Sequence, residues 1–241
     1  KMGTEIYAAL KAALKSRGLA TAVGDEGGFA PSLRDDEQAL ELLVEAIESA
    51  GYRPGADVAI AMDAAASEWT QGDGYRLPKN GQSLTREALI AHFADLAGRF
   101  PIFSIEDPLG EDDFEGFAHI TEQLGAQVQI VGDDLFVTNP ARLEQGIRSR
   151  SANAVLVKPN QIGTLSETIR TVRLAQQHGY RTILSHRSGE TEDTSIADIA
   201  VALNAGQIKT GAPARTDRVC KYNRLLKIEQ TLGMAAVYGR L

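Results

Sequence analysis

Short apolar runs recur along this chain, and an ionisable side chain closely follows each of them. The runs predict strands at 58–62, 102–105, 128–131, 154–157, 182–184 and 207–208. The ionisable residues that follow them are, in order, Asp63, Glu106, Asp133, Lys158, His186 and Lys209. These residues are separated by 43, 27, 25, 28 and 23 positions. The last four steps are close to the roughly 30 residues of one strand–helix–strand unit, which predicts a repeated β/α unit.

Other segments, before and between these runs, carry apolar residues at the spacing of an α-helix. Residues 36–50 carry apolar side chains at helical spacing, with acidic residues in the first turn and Gly51 as a stop signal. Segments 2–14 and 84–96 have the same spacing. Strands that alternate with helices form parallel sheets, and nearly continuous apolar strands indicate a sheet covered on both faces.

The position of the polar residues distinguishes two parallel architectures. A further short run at 22–23 leads into the acidic loop 24–28, which would bring the number of polar strand ends to seven. An open doubly wound sheet would concentrate its chemistry at one switch point, whereas a barrel places it at every carboxyl end. We therefore predict an α/β fold, a TIM-like (β/α)8 barrel, with residues 1–241 as one domain because no linker-like segment interrupts them.

Composition excludes several classes of protein. The 241 residues carry a net charge of −7, which argues against a basic surface for nucleic acid. No apolar run approaches the roughly 18 residues that span a bilayer. Cys220 is the only cysteine, so a disulfide scaffold is excluded and a reducing compartment fits.

Three acidic residues at neighbouring strand ends predict a metal site. Asp63, Glu106 and Asp133 would converge on one point, where their charges repel unless a cation lies between them. Oxygen-only ligation is typical of Mg²⁺. A single strand-end acid is more often a helix cap or a solvated group, but the set favours a metal. Asp107 and Asp134 adjoin two of these residues and are predicted to support them.

The remaining strand ends predict a base and an anion site. Lys158 and Lys209 follow apolar strands, where a lysine near another cation can serve as a general base; a salt bridge across the barrel mouth is the alternative. Arg187 and Ser188 combine a guanidinium and a hydroxyl beside a glycine, which suits an anion. Glu26 lies in the glycine-rich loop 24–28, which could bring a carboxylic acid to a substrate.

Seven motifs in this order resemble the enolase family. They are GDEGGFAP at 24–31, MDAA at 62–65, SIEDP at 104–108, GDDLFVTN at 132–139, KPNQIGT at 158–164, SHRSGET at 185–191 and QIKTGA at 207–212. The resemblance extends from about Met2 to Gly233.

The resemblance implies Mg²⁺-dependent dehydration of 2-phospho-D-glycerate to phosphoenolpyruvate, in glycolysis and in the cytoplasm, with a cell-surface or secreted form also known in the family. It implies the following roles: Lys158 as the base at C2, Glu26 as the acid, Asp63, Glu106 and Asp133 as metal ligands, and His186, Arg187, Ser188 and Lys209 as substrate contacts. It also implies a homodimer for the full-length protein, and neither direct binding to nucleic acid nor a membrane span.

The resemblance covers only the barrel region of the family. Its N-terminal α+β domain, the mobile loops of that domain and the opening barrel strands have no counterpart here, so the barrel is expected to be incomplete at its N-terminal end. Two alternative functions stay open at this point. One is a catalytically silent fragment that acts as a binding or scaffold partner, and the other is a different dehydratase of the enolase superfamily.

Overall fold

Six parallel strands follow one another in chain order in the computed structural model, which describes residues 1–238. The strands of this sheet are β1 (Ile60–Asp63), β5 (Ile102–Glu106), β6 (Gln129–Gly132), β7 (Ala154–Val157), β8 (Arg181–Ser185) and β9 (Gly206–Lys209). Each pairs with the next in parallel register, for example Asp63 beside Glu106 and Ser185 beside Lys209. Their carboxyl ends therefore lie along one edge.

Helices occupy most intervals between the strands. They are α1 (Met2–Ser16), α2 (Asp36–Ser49), α3 (Arg86–Arg99), α4 (Phe114–Leu124), α5 (Pro140–Ser149), α6 (Pro159–Ile162), α7 (Leu165–Gln177), α8 (Ser195–Ala202) and α9 (Thr216–Leu232). The predicted helices at 2–14, 36–50 and 84–96 are confirmed as α1, α2 and α3, with bounds that differ by up to three residues.

Local sequence signals account for where the helices begin. Asp35 precedes α2, and its carboxylate accepts a hydrogen bond from the backbone N–H of Gln38. Asn139 caps α5 in the same way through the N–H of Ala141, and Pro140 occupies the first turn, where no backbone donor is needed. The second cap orients the helix that follows β6 and Asp133.

Strand side chains alternate between two apolar layers. Val155 and Val157 belong to the large core between sheet and helices, whereas Ala154 and Leu156 pack on the opposite, concave face with Val131 and Ile183. Polar groups share the concave side. The amides of Gln129 on β6 and Gln207 on β9 exchange hydrogen bonds of 2.8 and 3.1 Å across it. Since these strands are not neighbours, the sheet curves into part of a barrel.

The structure corrects one predicted strand. Residues 22–23 do not join the sheet, because the exposed Val23 makes only a bridge to Phe29 within its own loop. The described sheet therefore has six strand ends rather than seven.

A small antiparallel sheet follows β1. Its strands are β2 (Thr70–Gln71), β3 (Gly74–Arg76) and β4 (Ser83–Leu84). A 3₁₀ turn at Ala66–Trp69 leads into it, and a second 3₁₀ turn, Gly233–Ala235, follows α9. Within residues 1–238, no helix is both long and apolar enough to span a membrane.

Candidate active site

A polar cavity of about 380 Å³ opens at the carboxyl ends of the strands. This volume is in the range that holds a small metabolite. The strand ends supply most of its walls, and the loop before α2 supplies Glu26. Its lining residues are Glu26, Asp63, Asp133, Lys158, Asn160, Ser185, His186, Arg187, Ser188, Gly189 and Lys209. Eight of the nine predicted site residues line this cavity, and Glu106, the ninth, contacts it through Lys209.

Lys209 connects two of the acidic residues. Its ammonium donates to Asp63 Oδ2 at 2.6 Å and to the two carboxylate oxygens of Glu106 at 2.9 and 3.0 Å. Glu106 is buried, whereas Asp63 is exposed at the rim. The alternative interpretation of a lysine salt bridge across the mouth therefore holds for Lys209 in this structure.

Lys158 forms the second ion pair. Its ammonium contacts Asp133 Oδ2, and both side chains are largely buried. Its backbone N–H donates to Thr138 Oγ1 at 2.9 Å, and that hydroxyl donates to Gln161 Oε1 at 2.9 Å. These contacts fix the start of α6 and hold Lys158 at the cavity wall.

Burial changes the proton affinities of these groups. Loss of contact with water raises the pKa of Glu106 to about 8, against the opposing charge of Lys209. Burial also raises the pKa of Asp133. The hydrogen bond and charge of Lys158 oppose this rise without cancelling it. For Lys209, burial lowers the pKa, but the charges of Glu106 and Asp63 outweigh it and the net shift is upward. Lys209 is therefore a firmly protonated cation.

The donor set fits a hard cation. Asp63, Glu106 and Asp133 offer carboxylate oxygens on three adjacent strands. Asp133 Oδ1 is buried, and it makes no hydrogen bond within residues 1–238. A buried carboxylate oxygen without a donor is costly, and coordination would satisfy it.

The tightest acidic group differs from the predicted ligand set. Within the described chain, the acidic oxygens that lie within 4.8 Å of one another belong to Asp107, Asp133 and Asp134. The carboxylate of Asp107 accepts the backbone N–H groups of Asp133 at 3.0 Å and Asp134 at 2.8 Å. Asp107 thus braces the turn after β6, and burial raises its pKa to about 7. With both oxygens engaged by these N–H groups, Asp107 supports the turn that carries Asp133.

The anion-binding candidates, Arg187 and Ser188, line the same cavity. Arg187 donates from Nη1 to Asn160 Oδ1 at 3.1 Å, which orients the guanidinium along the cavity. The hydroxyl of Ser188 donates to Glu26 Oε1 at 3.0 Å. A guanidinium and a hydroxyl therefore share one small cavity with the acidic residues.

Backbone contacts position the loop that bears Glu26. Gly24 N–H donates to Gly28 O at 2.8 Å and closes the turn, and Ala212 N–H donates to Glu26 O at 2.9 Å. Gly27 has φ +85°, and a Cβ there would lie 3.0 Å from Ala212 O. Only glycine allows this approach without strain, so the loop is fixed on the segment after β9.

Sequence reasoning missed two residues of the site. Asn160 lies two residues after Lys158, within the motif at 158–164, but its position in the sequence alone indicates no role. Arg218 is fully buried in the first turn of α9, where a charged residue is normally solvated, so its sequence context offers no signal.

The fold and the cavity define a parallel β/α-barrel protein whose charged site lies at the carboxyl ends of its strands. The chain belongs to the enolase family: residues 1–240 match the family described as "Enolase, C-terminal TIM barrel domain". The α/β barrel fold predicted from the sequence is thereby confirmed. The sequence is also similar to the protein named enolase of Mycobacterium leprae (strain TN), at 59% identity over 240 residues. That match covers 99% of this chain and 56% of the relative, so the chain spans little more than half of the relative's length.

Proposed function

We propose that this chain carries the catalytic barrel of a phosphopyruvate hydratase, the lyase that interconverts 2-phosphoglycerate and phosphoenolpyruvate in glycolysis. The observation that carries the proposal is the cavity itself. Three carboxylates, two lysines, an arginine–serine pair and a loop carboxylate surround one small polar space. Removing a proton beside a carboxylate and expelling a hydroxyl needs a base, an acid and concentrated positive charge.

Asp63, Glu106 and Asp133 would hold Mg²⁺ in this scheme, because together they provide oxygen ligands on adjacent strand ends. Bound Mg²⁺ would supply positive charge beside the substrate carboxylate. The ammonium of Lys209 adds a fixed positive charge on the same side, since its contacts with Asp63 and Glu106 keep it protonated.

Lys158 is proposed to take the proton from C2 of the substrate as a neutral amine, which requires that its ammonium first give up the proton it shares with Asp133. Its amine lies at the end of β7 on the cavity wall, and the backbone contact with Thr138 limits its movement. Lys158 and Glu26 both line the cavity, so a substrate bound there is within reach of both side chains.

Glu26 is proposed as the acid that protonates the departing 3-hydroxyl. Its carboxyl lines the cavity, where it contacts Ser188 and lies 3.4 Å from His186 Nε2. Arg187 and Ser188 are proposed to bind the phosphate, because a guanidinium and a hydroxyl match its oxygens. His186 and Lys209 complete the substrate contacts.

The test measures Mg²⁺-dependent formation of phosphoenolpyruvate from 2-phosphoglycerate. Two proteins are compared: the 241-residue chain, and a chimera that joins the portion of the Mycobacterium leprae enolase preceding the matched region to Lys1. The chimera is expected to turn over substrate. A folded chimera without turnover would refute the proposal, and turnover of an unphosphorylated sugar acid instead would favour another dehydratase.

The role of Lys158 is tested in the active chimera. Lys158→Ala is expected to abolish exchange of the C2 proton with solvent while substrate binding persists, because only the base is lost. Lys227→Ala is the matched control, since Lys227 is an exposed lysine on α9. Normal exchange in Lys158→Ala would remove Lys158 from the mechanism.

A further inference from the structure

Arg218 is the largest fully buried side chain of the described residues, and its guanidinium lies directly behind the cavity. It is 0% exposed, although an arginine on a helix is normally solvated. Its two terminal nitrogens make four hydrogen bonds. Such a buried cation needs a structural or functional reason.

Three of these hydrogen bonds end on backbone carbonyls of the site loops. Nη1 donates to Arg187 O at 2.7 Å, and Nη2 donates to Ser188 O at 2.8 Å and to Asp25 O at 2.9 Å. The loop that bears the proposed acid and the loop proposed to bind phosphate are therefore held by one guanidinium. The guanidinium is planar and holds its N–H donors in a fixed arrangement, so only acceptors at matching positions can receive these hydrogen bonds.

The fourth hydrogen bond determines a protonation state. Arg218 Nη1 lies 2.5 Å from His186 Nδ1, and a guanidinium has donors only. Nδ1 must therefore offer a lone pair. The imidazole is neutral, and its single proton is on Nε2. The contact thus selects one of the two neutral tautomers.

The proton on His186 Nε2 faces the cavity. His186 lines it, and its Nε2 is buried without a hydrogen-bond acceptor in the described part of the chain. The nearest carboxylate oxygen, Glu26 Oε2, is 3.4 Å away. An unsatisfied buried donor at this position suits an oxygen that arrives with a ligand.

We propose that Arg218 is a positioning residue that holds His186 as the Nε2–H tautomer, so that this neutral imidazole donates a hydrogen bond into the cavity. The identity of the acceptor as a substrate oxygen rests on the proposed function, whereas the tautomer does not. Burial supports a neutral ring, since it lowers the pKa of His186 to about 4. The charge of Glu26 opposes this shift, and the charge of Arg218 adds to it.

The chain leaves space for this arrangement at Gly211. Gly211 has φ +87°, and a Cβ there would lie 2.6 Å from Arg218 Cδ and 2.7 Å from Glu26 O. Since such contacts are too short, a side chain at 211 would displace the arginine or the acid loop. The absence of a side chain at Gly211 is therefore part of how Arg218 reaches His186.

The first experiment detects the tautomer directly. The 241-residue chain labelled with ¹⁵N-histidine is examined by long-range proton–nitrogen correlation at neutral pH, and His186→Gln identifies the signals of His186. The Nε2–H pattern is expected. An Nδ1–H pattern or a protonated ring at His186 in the unsubstituted chain would overturn the proposal, whether or not the chain turns over substrate.

Substitutions then test the part played by the arginine. Arg218→Met is expected to lose the pure Nε2–H pattern, whereas Arg218→Lys retains a donor and is expected to keep it. The matched control is Arg224→Met, because Arg224 lies on the same helix but pairs with Asp198 away from the cavity. A folded Arg218→Met with an unchanged pattern would refute the positioning role.

Kinetics in the chimera separate positioning from general stability. Arg218→Met is expected to lower kcat roughly tenfold or more, as the loss of residues that orient a functional histidine does, with a smaller change in KM. Arg218→Lys is expected to recover part of kcat. Equal kcat in Arg218→Met and Arg224→Met would overturn the proposal. A silent chimera with the expected tautomer would instead refute only the proposed function.

Discussion

The ammonium of Lys209 lies 2.6 Å from Asp63 Oδ2, although 146 residues separate them in the chain. Asp63 ends the first strand of the parallel sheet, and Lys209 ends the last. The two outer strands of a six-stranded sheet are thus joined at their carboxyl ends. Because a flat sheet would keep them far apart, this pair also reports the curvature that forms the cavity.

Loss of the Lys209 ammonium should destabilise the fold. In Lys209→Met, Glu106 would be left buried without a counter-charge, and removal of one partner from a buried ion pair is expensive. Because Lys209 is partly exposed, we expect a decrease of about 2 kcal/mol in the free energy of unfolding. Urea unfolding at about pH 9 provides the measurement, because Glu106, with its pKa of about 8, is ionised there; Lys227→Met is the control. Equal stability of the two variants would contradict the assignment of Lys209 as the counter-charge of Glu106.

Asp63→Asn should weaken Mg²⁺ binding. The substitution removes one negative charge from the proposed ligand set and leaves the size of the side chain unchanged. We expect a decrease in affinity of roughly tenfold or more, measured by calorimetric titration of the chain with Mg²⁺. Asp73→Asn is the control, since Asp73 is exposed and lies outside the cavity. An identical titration for both variants would exclude Asp63 from the metal site.

Asp107→Asn should be more costly than its small change in size suggests. The two carboxylate oxygens of Asp107 each accept a backbone N–H, from Asp133 and Asp134. An asparagine has one acceptor oxygen, so its amide nitrogen would face one of these donors. We expect a loss of about 1–3 kcal/mol in unfolding free energy, the cost of a buried donor without a partner.

Asp107→Ala provides the comparison for that prediction. It leaves both N–H groups unpaired and is expected to unfold at a lower urea concentration than Asp107→Asn. If Asp107→Asn were as stable as the unsubstituted chain, the two hydrogen bonds would not be what fixes the turn after β6.

The contact between His92 and Asp36 should make stability depend on pH. The ring of His92 lies 2.7 Å from Asp36 Oδ2, and this hydrogen bond raises the pKa of His92 and lowers that of Asp36. The folded chain therefore binds the His92 proton more tightly than the unfolded chain does. This contribution is fully present below the ordinary histidine pKa and disappears as pH rises through the raised value. The contribution of Asp36 disappears at the acidic end, as pH falls through its lowered pKa.

His92→Gln should consequently cost stability at about pH 6 and little at about pH 9. The expected difference is roughly 0.5–1 kcal/mol, because both side chains are partly exposed to water. Urea unfolding at the two pH values measures it, with the exposed His119→Gln as the control. A larger loss at the alkaline value would reverse the sign and contradict the ion pair.

Most of the secondary structure followed from local pattern. The helix over 36–50 and the strand at 154–157 were predicted nearly to their observed bounds, because apolar spacing and capping residues act over short range. The prediction of a strand at 22–23 was wrong, since two apolar residues beside a glycine-rich loop do not distinguish a strand from a short bridge.

The sequence also determined which residues meet. In parallel β/α units, the carboxyl ends of all strands lie at one edge, so the order of the chain alone places Asp63, Asp133, Lys158 and Lys209 around one cavity. The metal-ligand, base and acid roles that the resemblance implied stay predictions, and the experiments above address them.

Only the tertiary structure decided how these residues pair. Spacing along the chain places a side chain at an edge, but it does not say that Lys158 contacts Asp133 while Lys209 contacts Asp63. Nor does it reveal that Arg218 is buried against His186. Side-chain partners and protonation states depend on distances of a few tenths of an ångström, and these are set by the curvature of the sheet and the packing of helices distant in sequence.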